Sequence, residues 1–332
     1  MRCHLSSNFS GPPNNAMRTH LAGSGNGGGR IRLDDTEIVD RRPRAEHRYR
    51  LISYFYLRQQ AKDAAALLKA ANGDNRDLIV DSGLYSFMFG SEQGKLPPTY
   101  EAYRDYTRKY LDDMAGWGSD CTLVEADTHR LLGMDATERL REEFKPLGSR
   151  VMYVWHQPEG LDGLIKLARE RDYIALSLPE LRMIAAANKK SGDPNAMCND
   201  LLRRVHAGCN GQPPRIHLLG CTQRELMETR YAYSCDSTSW LSGVRYGVGA
   251  TWSHKKGLGR ASLRSPQFLA FRAEAELAHP ESAALARAQT NADGYLNVLG
   301  CAYAYVLYQA WLDSHYTPIP CRGDALPEGP VR

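Results

Sequence analysis

The chain lacks any apolar run approaching the roughly 20 residues that cross a bilayer. Its opening residues, MRCHLSSNFSGPPNNAM, contain no continuous apolar segment of the secretory kind. A membrane-spanning or exported protein is therefore not expected, and the cytoplasm is the compartment the sequence favours. No CxxC pair occurs. The eight cysteines, Cys3, Cys121, Cys198, Cys209, Cys221, Cys235, Cys301 and Cys321, are scattered over 332 residues. Such scatter argues against a disulfide scaffold and for free thiols in a reducing compartment. Cys198, His206 and Cys209 come nearest to a metal-ligand set, but their spacing is irregular, and no metal or other cofactor is expected. A strong charge imbalance is also missing. A net charge of +4 and a pI near 8.5 permit a nucleic-acid partner without demanding one. What remains is the composition of a globular protein, 42% hydrophobic and 24% charged, long enough for one large domain or two small ones.

Residues 1–46 read as a flexible N-terminal tail, because GPPNNAM and GSGNGGG cannot bury a core. The following RRPRAEHRYR gathers Arg41, Arg42, Arg44, Arg48 and Arg50, either as a solvated charge run or as phosphate contacts. Residues 47–332 read as one unit. Short apolar runs recur at RLISYFY (50–56), LIVD (78–81), CTLVEAD (121–127), RVMYVWH (150–156), YIALSL (173–178), RIHLLG (215–220), YAYSCD (231–236) and VRYGVGA (244–250). Each has the look of a strand buried on both faces. Helical stretches separate them: Ala61–Ala71, Tyr100–Met114, Ala136–Phe144, Leu161–Arg171, Glu180–Lys190, Asn199–Ala207 and Arg224–Arg230. Strand and helix in alternation predict an α/β fold, a (β/α)8 TIM barrel. The rival, an open doubly wound sheet, usually carries a glycine-rich phosphate turn after its first strand. Here YLRQQAKDAAALL follows instead. C-terminal helices close the chain. Tyr295, Leu299, Tyr303, Leu307 and Trp311 recur every four residues there, a stripe that reads as core packing.

In such a barrel, catalytic side chains come from the carboxyl ends of the strands. Those ends carry Asp81, Glu125 with Asp127, His156, Ser177 with Glu180, Gly220 and Asp236. Each acid alone could simply cap the helix that follows. Several acids in one mouth instead shift one another's pKa, which separates an acid from a base.

Four segments resemble the tRNA-guanine transglycosylase superfamily, in the family's order: VDSGLYSFMFG (80–90), LVEADTH (123–129), HLLGCT (217–222) and SCDSTSWLSGVRYG (234–247). The resemblance implies exchange of a guanine in a nucleic acid for a 7-deazaguanine base such as preQ0 or queuine. It implies that Asp236 attacks C1′ of the sugar to form a covalent glycosyl intermediate, and that Asp81 handles the proton on the leaving and entering base. It further implies that Asp127 binds the Watson–Crick edge of the purine, with Ser82 and Glu125 nearby. Tyr85 would stack on the base, with Leu219 on its other face and Gly220 forming the adjacent turn. His156 stands where the family has a glutamine and Ser177 where it has a backbone-presenting glycine; these departures leave the incoming base open. Arg245, on the nucleophile loop, and Lys255, Lys256 and Arg260, in the loop SHKKGLGRASLR, are candidates for phosphate contacts.

These roles are chemically coherent. A glycosidic bond breaks through an oxocarbenium-like state that a neighbouring carboxylate stabilises and traps. A carboxylate can accept both N–H groups of a guanine edge. Glu125 and Asp127, two apart on a strand, would share a face. Stacking on Tyr85 would contribute about 1–3 kcal/mol, and the target nucleotide must leave its stack or be single-stranded. Typical tRNA-modifying members carry zinc ligands after the nucleophile, three close cysteines and a later histidine. After Asp236 this chain has only Cys301 and Cys321. It is therefore closer to the zinc-less phage and bacterial members that act on DNA, and DNA is favoured over tRNA as partner, with other proteins of a modification system as further partners. Alternatives are a tRNA-acting enzyme, a catalytically inactive barrel that binds nucleic acid as a partner subunit, and an unrelated nucleoside hydrolase.

Overall fold

A computed structural model describes residues 2–7, 49–66, 68, 77–88, 93–118, 120–187, 193–221, 223–237, 246–288, 291–316 and 319–322. Eight parallel strands close into a barrel in chain order. They are β1 (Arg2–Ser7), β2 (Tyr49–Ser53), β3 (Asp77–Asp81), β4 (Thr122–Val124), β5 (Val151–Trp155), β6 (Tyr173–Ser177), β7 (Arg215–Leu219) and β8 (Ser234–Ser237). The two-residue period of a strand sorts their side chains. Leu51, Ile79, Val124, Met152, Val154, Tyr173 and Ala175 form one cluster, which fills the barrel. Their neighbours Ile52, Val80, Leu123, Tyr153, Ile174, Leu176, Ile216 and Leu218 join the larger core with Tyr103, Leu140, Leu164 and Leu202 of the surrounding helices.

Those helices are α1 (Tyr100–Gly116), α2 (Met134–Phe144), α3 (Gly160–Glu170), α4 (Leu178–Ala187) and α5 (Pro194–Gly208). Thr99 caps α1 by accepting from the Ala102 N–H, and Asp193 caps α5 with Pro194 at its first position. The expected (β/α)8 barrel is the observed fold. Of the expected helices, Ala61–Ala71 is only partly within the described residues, and Arg224–Arg230 shortens to Arg224–Met227.

Two boundaries differ from the sequence expectation. Residues 1–46 are not uniformly a tail: Arg2–Ser7 is the first barrel strand, paired in parallel with β2 on one side and β8 on the other, His4 opposite Asp236. The run RCHLSS contains only two apolar residues and is followed by GPPNNAM, so local composition hides it. Its strand state comes from two neighbours that lie far away in sequence. Correspondingly, the run at 244–250 is not the eighth barrel strand. It enters β9 (Val248–Ser253), which pairs antiparallel with β10 (Gly257–Ser262) in a separate ribbon. The turn at His254–Lys256 and the positive φ of Gly257 fold the chain back too sharply for a parallel crossover.

The ribbon packs on the C-terminal helices α6 (Pro266–Ala278) and α8 (Ala292–His315), and α7 (Pro280–Arg287) packs on those two helices. Gly249 permits the contact, because a Cβ there would lie 2.0 Å from the Phe268 ring. Tyr295, Leu299 and Tyr303 of α8 are buried, with Leu307 and Trp311 packed against the same core, as their spacing implied. No described helix is long and apolar enough to cross a membrane.

Removing residues 1–7 would turn β2 and β8 into open edges. The truncated chain is expected to lose cooperative thermal unfolding and to aggregate. A truncated chain melting at the full-length midpoint would show that β1 is dispensable.

Candidate functional site

All the strands run in one direction, so their carboxyl ends form one mouth. Asp81 ends β3. Helix α1 fixes it from behind: the Tyr110 and Tyr106 hydroxyls donate to the carbonyls of Val80 and Ser82, each at 2.7 Å. The chain then turns at Gly83, whose N–H donates to Asp81 Oδ2 at 2.9 Å. Gly83 has φ +75°, and a Cβ there would lie 2.4 Å from that of Phe55, so no other residue fits the turn. Burial pushes the Asp81 carboxyl up to about 6; the Gly83 N–H pulls against this, and the negative charges of Asp236 and Asp127 add to the rise.

Asp236 lies on β8 and is buried. Its Oδ1 accepts from the Gly220 N–H at 2.9 Å and lies 3.2 Å from His217 Nε2. Gly220 holds φ +65°, and a Cβ would come within 3.0 Å of Pro179. The other His217 nitrogen, Nδ1, is 2.7 Å from Ser234 Oγ, which is in turn 2.6 Å from the Tyr173 hydroxyl. The inward faces of β6, β7 and β8 thus build a buried chain, Tyr173–Ser234–His217–Asp236, that fixes the carboxylate.

β4 ends at Val124, so Glu125 and Asp127 both lie in the segment beyond it, with Oε1 of the one 3.9 Å and Oδ1 of the other 3.6 Å from His156 Nε2. Glu125 is fully buried and held by helix α2. Arg141 Nε donates to Glu125 Oε2 at 2.8 Å and Nη2 to Oε1 at 3.1 Å, while the Val154 N–H donates to Oε1 at 2.8 Å. Arg141 also donates to the Val154 carbonyl at 2.7 Å and to Glu159 at 2.9 Å, and Glu159 accepts from the His156 N–H at 2.8 Å. Burial raises the Glu125 pKa, and Arg141 only partly offsets it. The bonds of Glu125 are thus spent on bracing β4 against β5.

Asp127 is a third exposed and reaches toward two histidines. His129 Nδ1 lies 2.8 Å from Asp127 Oδ1, and its Nε2 lies 3.3 Å from Glu180 Oε1. Burial disfavours a charged His129, but Asp127 and Glu180 outweigh it and lift the imidazole to about 9. Burial would likewise raise the Glu180 pKa; His129, the nearby His156 and the Gln157 N–H instead hold this carboxyl well below the usual range. His156, at the end of β5, is stacked on His129 with ring centres 3.9 Å apart. Neither of its ring nitrogens has a hydrogen-bond partner, although the side chain is wholly buried.

The other sequence candidates fall into place unevenly. Tyr85 is exposed on the short helix Tyr85–Met88 just after the Asp81 turn, whereas Ser82 is buried and offers its carbonyl to Tyr106. Ser177 Oγ accepts from the Glu180 N–H at 3.3 Å and so caps α4. Leu219 is half-buried at the end of β7. Lys255 and Lys256 occupy the ribbon turn rather than a loop between barrel strand and helix, and Arg260 lies exposed on β10. The turn is nonetheless tied to the mouth side, since Arg224, in the segment after β7, donates to the Lys256 carbonyl at 3.1 Å. Arg245 and residues 41–48 lie outside the described residues. Cys198, His206 and Cys209 form no ligand set among the described residues: His206 Nε2 meets the Tyr231 carbonyl at 2.9 Å, and burial pushes the Cys198 thiol up to about 12.

The sequence reading missed His217, Ser234, Tyr173, Arg141 and His129. His217 could have been found, since it stands two residues before Leu219 on the same face of RIHLLG. Arg141 could not, because nothing local distinguishes it from Arg139, the other arginine of α2. The fold and the site define an α/β barrel protein with a carboxylate-lined mouth. No family model matches the chain, and no curated protein matches it.

Replacing Arg141 with Met leaves Glu125 buried without its partner. It is expected to lower stability by roughly 3–5 kcal/mol in urea titrations. A loss under 1 kcal/mol would mean that Glu125 is not held as described.

Proposed function

We propose that the protein is a pentosyltransferase that exchanges a guanine in nucleic acid for a 7-deazaguanine base. The observation that carries this reading is the unequal pair of carboxylates at one mouth. Asp81, at the end of β3, is pushed up to about 6 mainly by burial, with the charge of Asp236 on β8 adding to the rise. A glycosyl transfer through a covalent intermediate needs this division: one carboxylate positioned to attack the sugar and another able to carry a proton near neutrality. Asp236 is the attacking group, oriented by the Gly220 N–H and His217. Asp81 protonates the leaving purine and takes the proton back from the incoming base. In balance, the C1′–N9 bond breaks as the C1′–O bond to Asp236 forms. The second base then reverses the step and releases the free carboxylate.

Tyr85 is exposed beside the Asp81 turn and is the candidate for stacking on the base, and Asp127, a third exposed, is the candidate for the purine edge. DNA is the favoured polymer, with tRNA the alternative, because the sequence carries no zinc ligands of the tRNA-binding kind after Asp236. Lys255, Lys256, Arg260 and Arg245 are the phosphate-contact candidates, and a cytoplasmic modification system of phage or bacterial type is the setting in which such chemistry fits.

Incorporation of labelled 7-deazaguanine bases into DNA and tRNA tests the reading. Asp236→Ala is expected to lower exchange by at least about 10⁴-fold with folding intact. Wild-type protein given nucleic acid without an incoming base is expected to form an adduct that survives denaturing electrophoresis. Exchange at the wild-type rate in Asp236→Ala would sink the assignment. Binding without any adduct would support a non-catalytic subunit, and release of free base without replacement would indicate a hydrolase.

A pH profile supplies a second test. Asp81 must be protonated to start the reaction, so adduct formation should be level below about 6 and fall above it. The same raised pKa makes ionised Asp81 a folding penalty that sets in as pH rises from about 4 to 6. Asp81→Asn should therefore remove the descending limb, lower exchange about 10²–10⁴-fold, and raise thermal stability at neutral pH. A profile unchanged in Asp81→Asn would exclude its proton role.

A further inference from the structure

We infer that Asp127, His129 and His156 form a binding site for one divalent transition-metal ion of the zinc type at the barrel mouth. The inference goes beyond base exchange and does not depend on it. Asp127 Oδ1 lies 2.8 Å from His129 Nδ1 and 3.6 Å from His156 Nε2, and all three ligand atoms lie within 4.8 Å of one another. Ligands held about 2.0–2.2 Å from a common tetrahedral ion are roughly 3.3–3.6 Å apart, so only small movements separate the present arrangement from a coordination shell. The two rings, now stacked, turn apart so that their in-plane lone pairs converge.

The second observation is His156 itself. It is wholly buried, yet both of its ring nitrogens lack a hydrogen-bond partner. A buried polar group left unpaired carries a desolvation penalty, and ligation through Nε2 would relieve it at that nitrogen. The third is Glu180. Its Oε1 lies 3.3 Å from His129 Nε2, and its Oε2 lies 3.8 Å from His156 Nδ1, on the sides of the rings away from Asp127. A carboxylate behind a ligating imidazole fixes its tautomer and strengthens it as a donor; here one carboxylate stands behind both.

Two imidazoles and one carboxylate suit zinc, iron(II) or manganese(II), and three protein ligands leave a position open for water or a substrate heteroatom. The ligands come from the segment after β4 and the end of β5, and the supporting acid from α4 after β6, so the shell straddles three consecutive strand ends.

The test uses the full chain, stripped with chelator and desalted, then titrated with Zn²⁺ by calorimetry and with Co²⁺ by visible absorption. One equivalent of Zn²⁺ is expected. His129→Ala and His156→Ala should each weaken it at least about tenfold, and Glu180→Gln about 10–100-fold with unchanged stoichiometry. Cys198→Ser should bind as wild type does. The Co²⁺ complex should show ligand-field bands without thiolate charge transfer, a readout on wild-type protein that holds even if a variant misfolds. No saturable binding, equal affinity in the histidine variants, or a thiolate band would each overturn the site. Metal binding is read without substrate, so loss of base exchange with metal binding intact rejects only the enzymatic reading.

Discussion

Every feature of the mouth depends on the closure of the barrel through β1. A sheet of seven parallel strands has two open edges; β1 satisfies both by pairing with β2 and β8 at once. Closure brings Asp236 on the last strand round to face Asp81 on the third. Without it these acids would stand toward opposite edges of an open sheet, and the charge of Asp236 would have little effect on Asp81. The helices contribute position rather than chemistry: Tyr106 and Tyr110 of α1 clamp the backbone on either side of Asp81, and Arg141 of α2 ties β4 to β5.

The mouth concentrates acids, and the fold treats each differently. Glu125 is neutralised by a bidentate arginine and used as a brace. Glu180 is stabilised by His129 and a backbone N–H. Asp236 receives a glycine N–H and a histidine backed by Ser234 and Tyr173. Asp81 accepts from backbone N–H groups, and burial drives its carboxyl toward neutrality. Asp127 is shared between two imidazoles and solvent. Asp81 and Glu180 thereby acquire opposite protonation behaviour, the first raised and the second lowered, a division that acid–base chemistry uses.

Much of this was legible beforehand. Seven of the eight barrel strands follow from short apolar runs between helical stretches, and the strand ends pointed to Asp81, Asp127, His156 and Asp236. The failures share a cause. RCHLSS has too little apolar content to be recognised as a strand, and VRYGVGA has enough to pass for a barrel strand while belonging to a ribbon.

The sequence by itself determined the α/β class, the barrel, the outward helices and the set of polar residues at the strand ends, because burial imposes periods of two and 3.6 that survive without any tertiary information. Only the tertiary structure decided which strand closes the ring, which acid is paired with Arg141, and that His217 reaches Asp236 while His129 and His156 stack beside Asp127. Those outcomes depend on contacts between residues distant in the chain, whose partners are chosen by the register and curvature of the closed barrel and not by any local pattern.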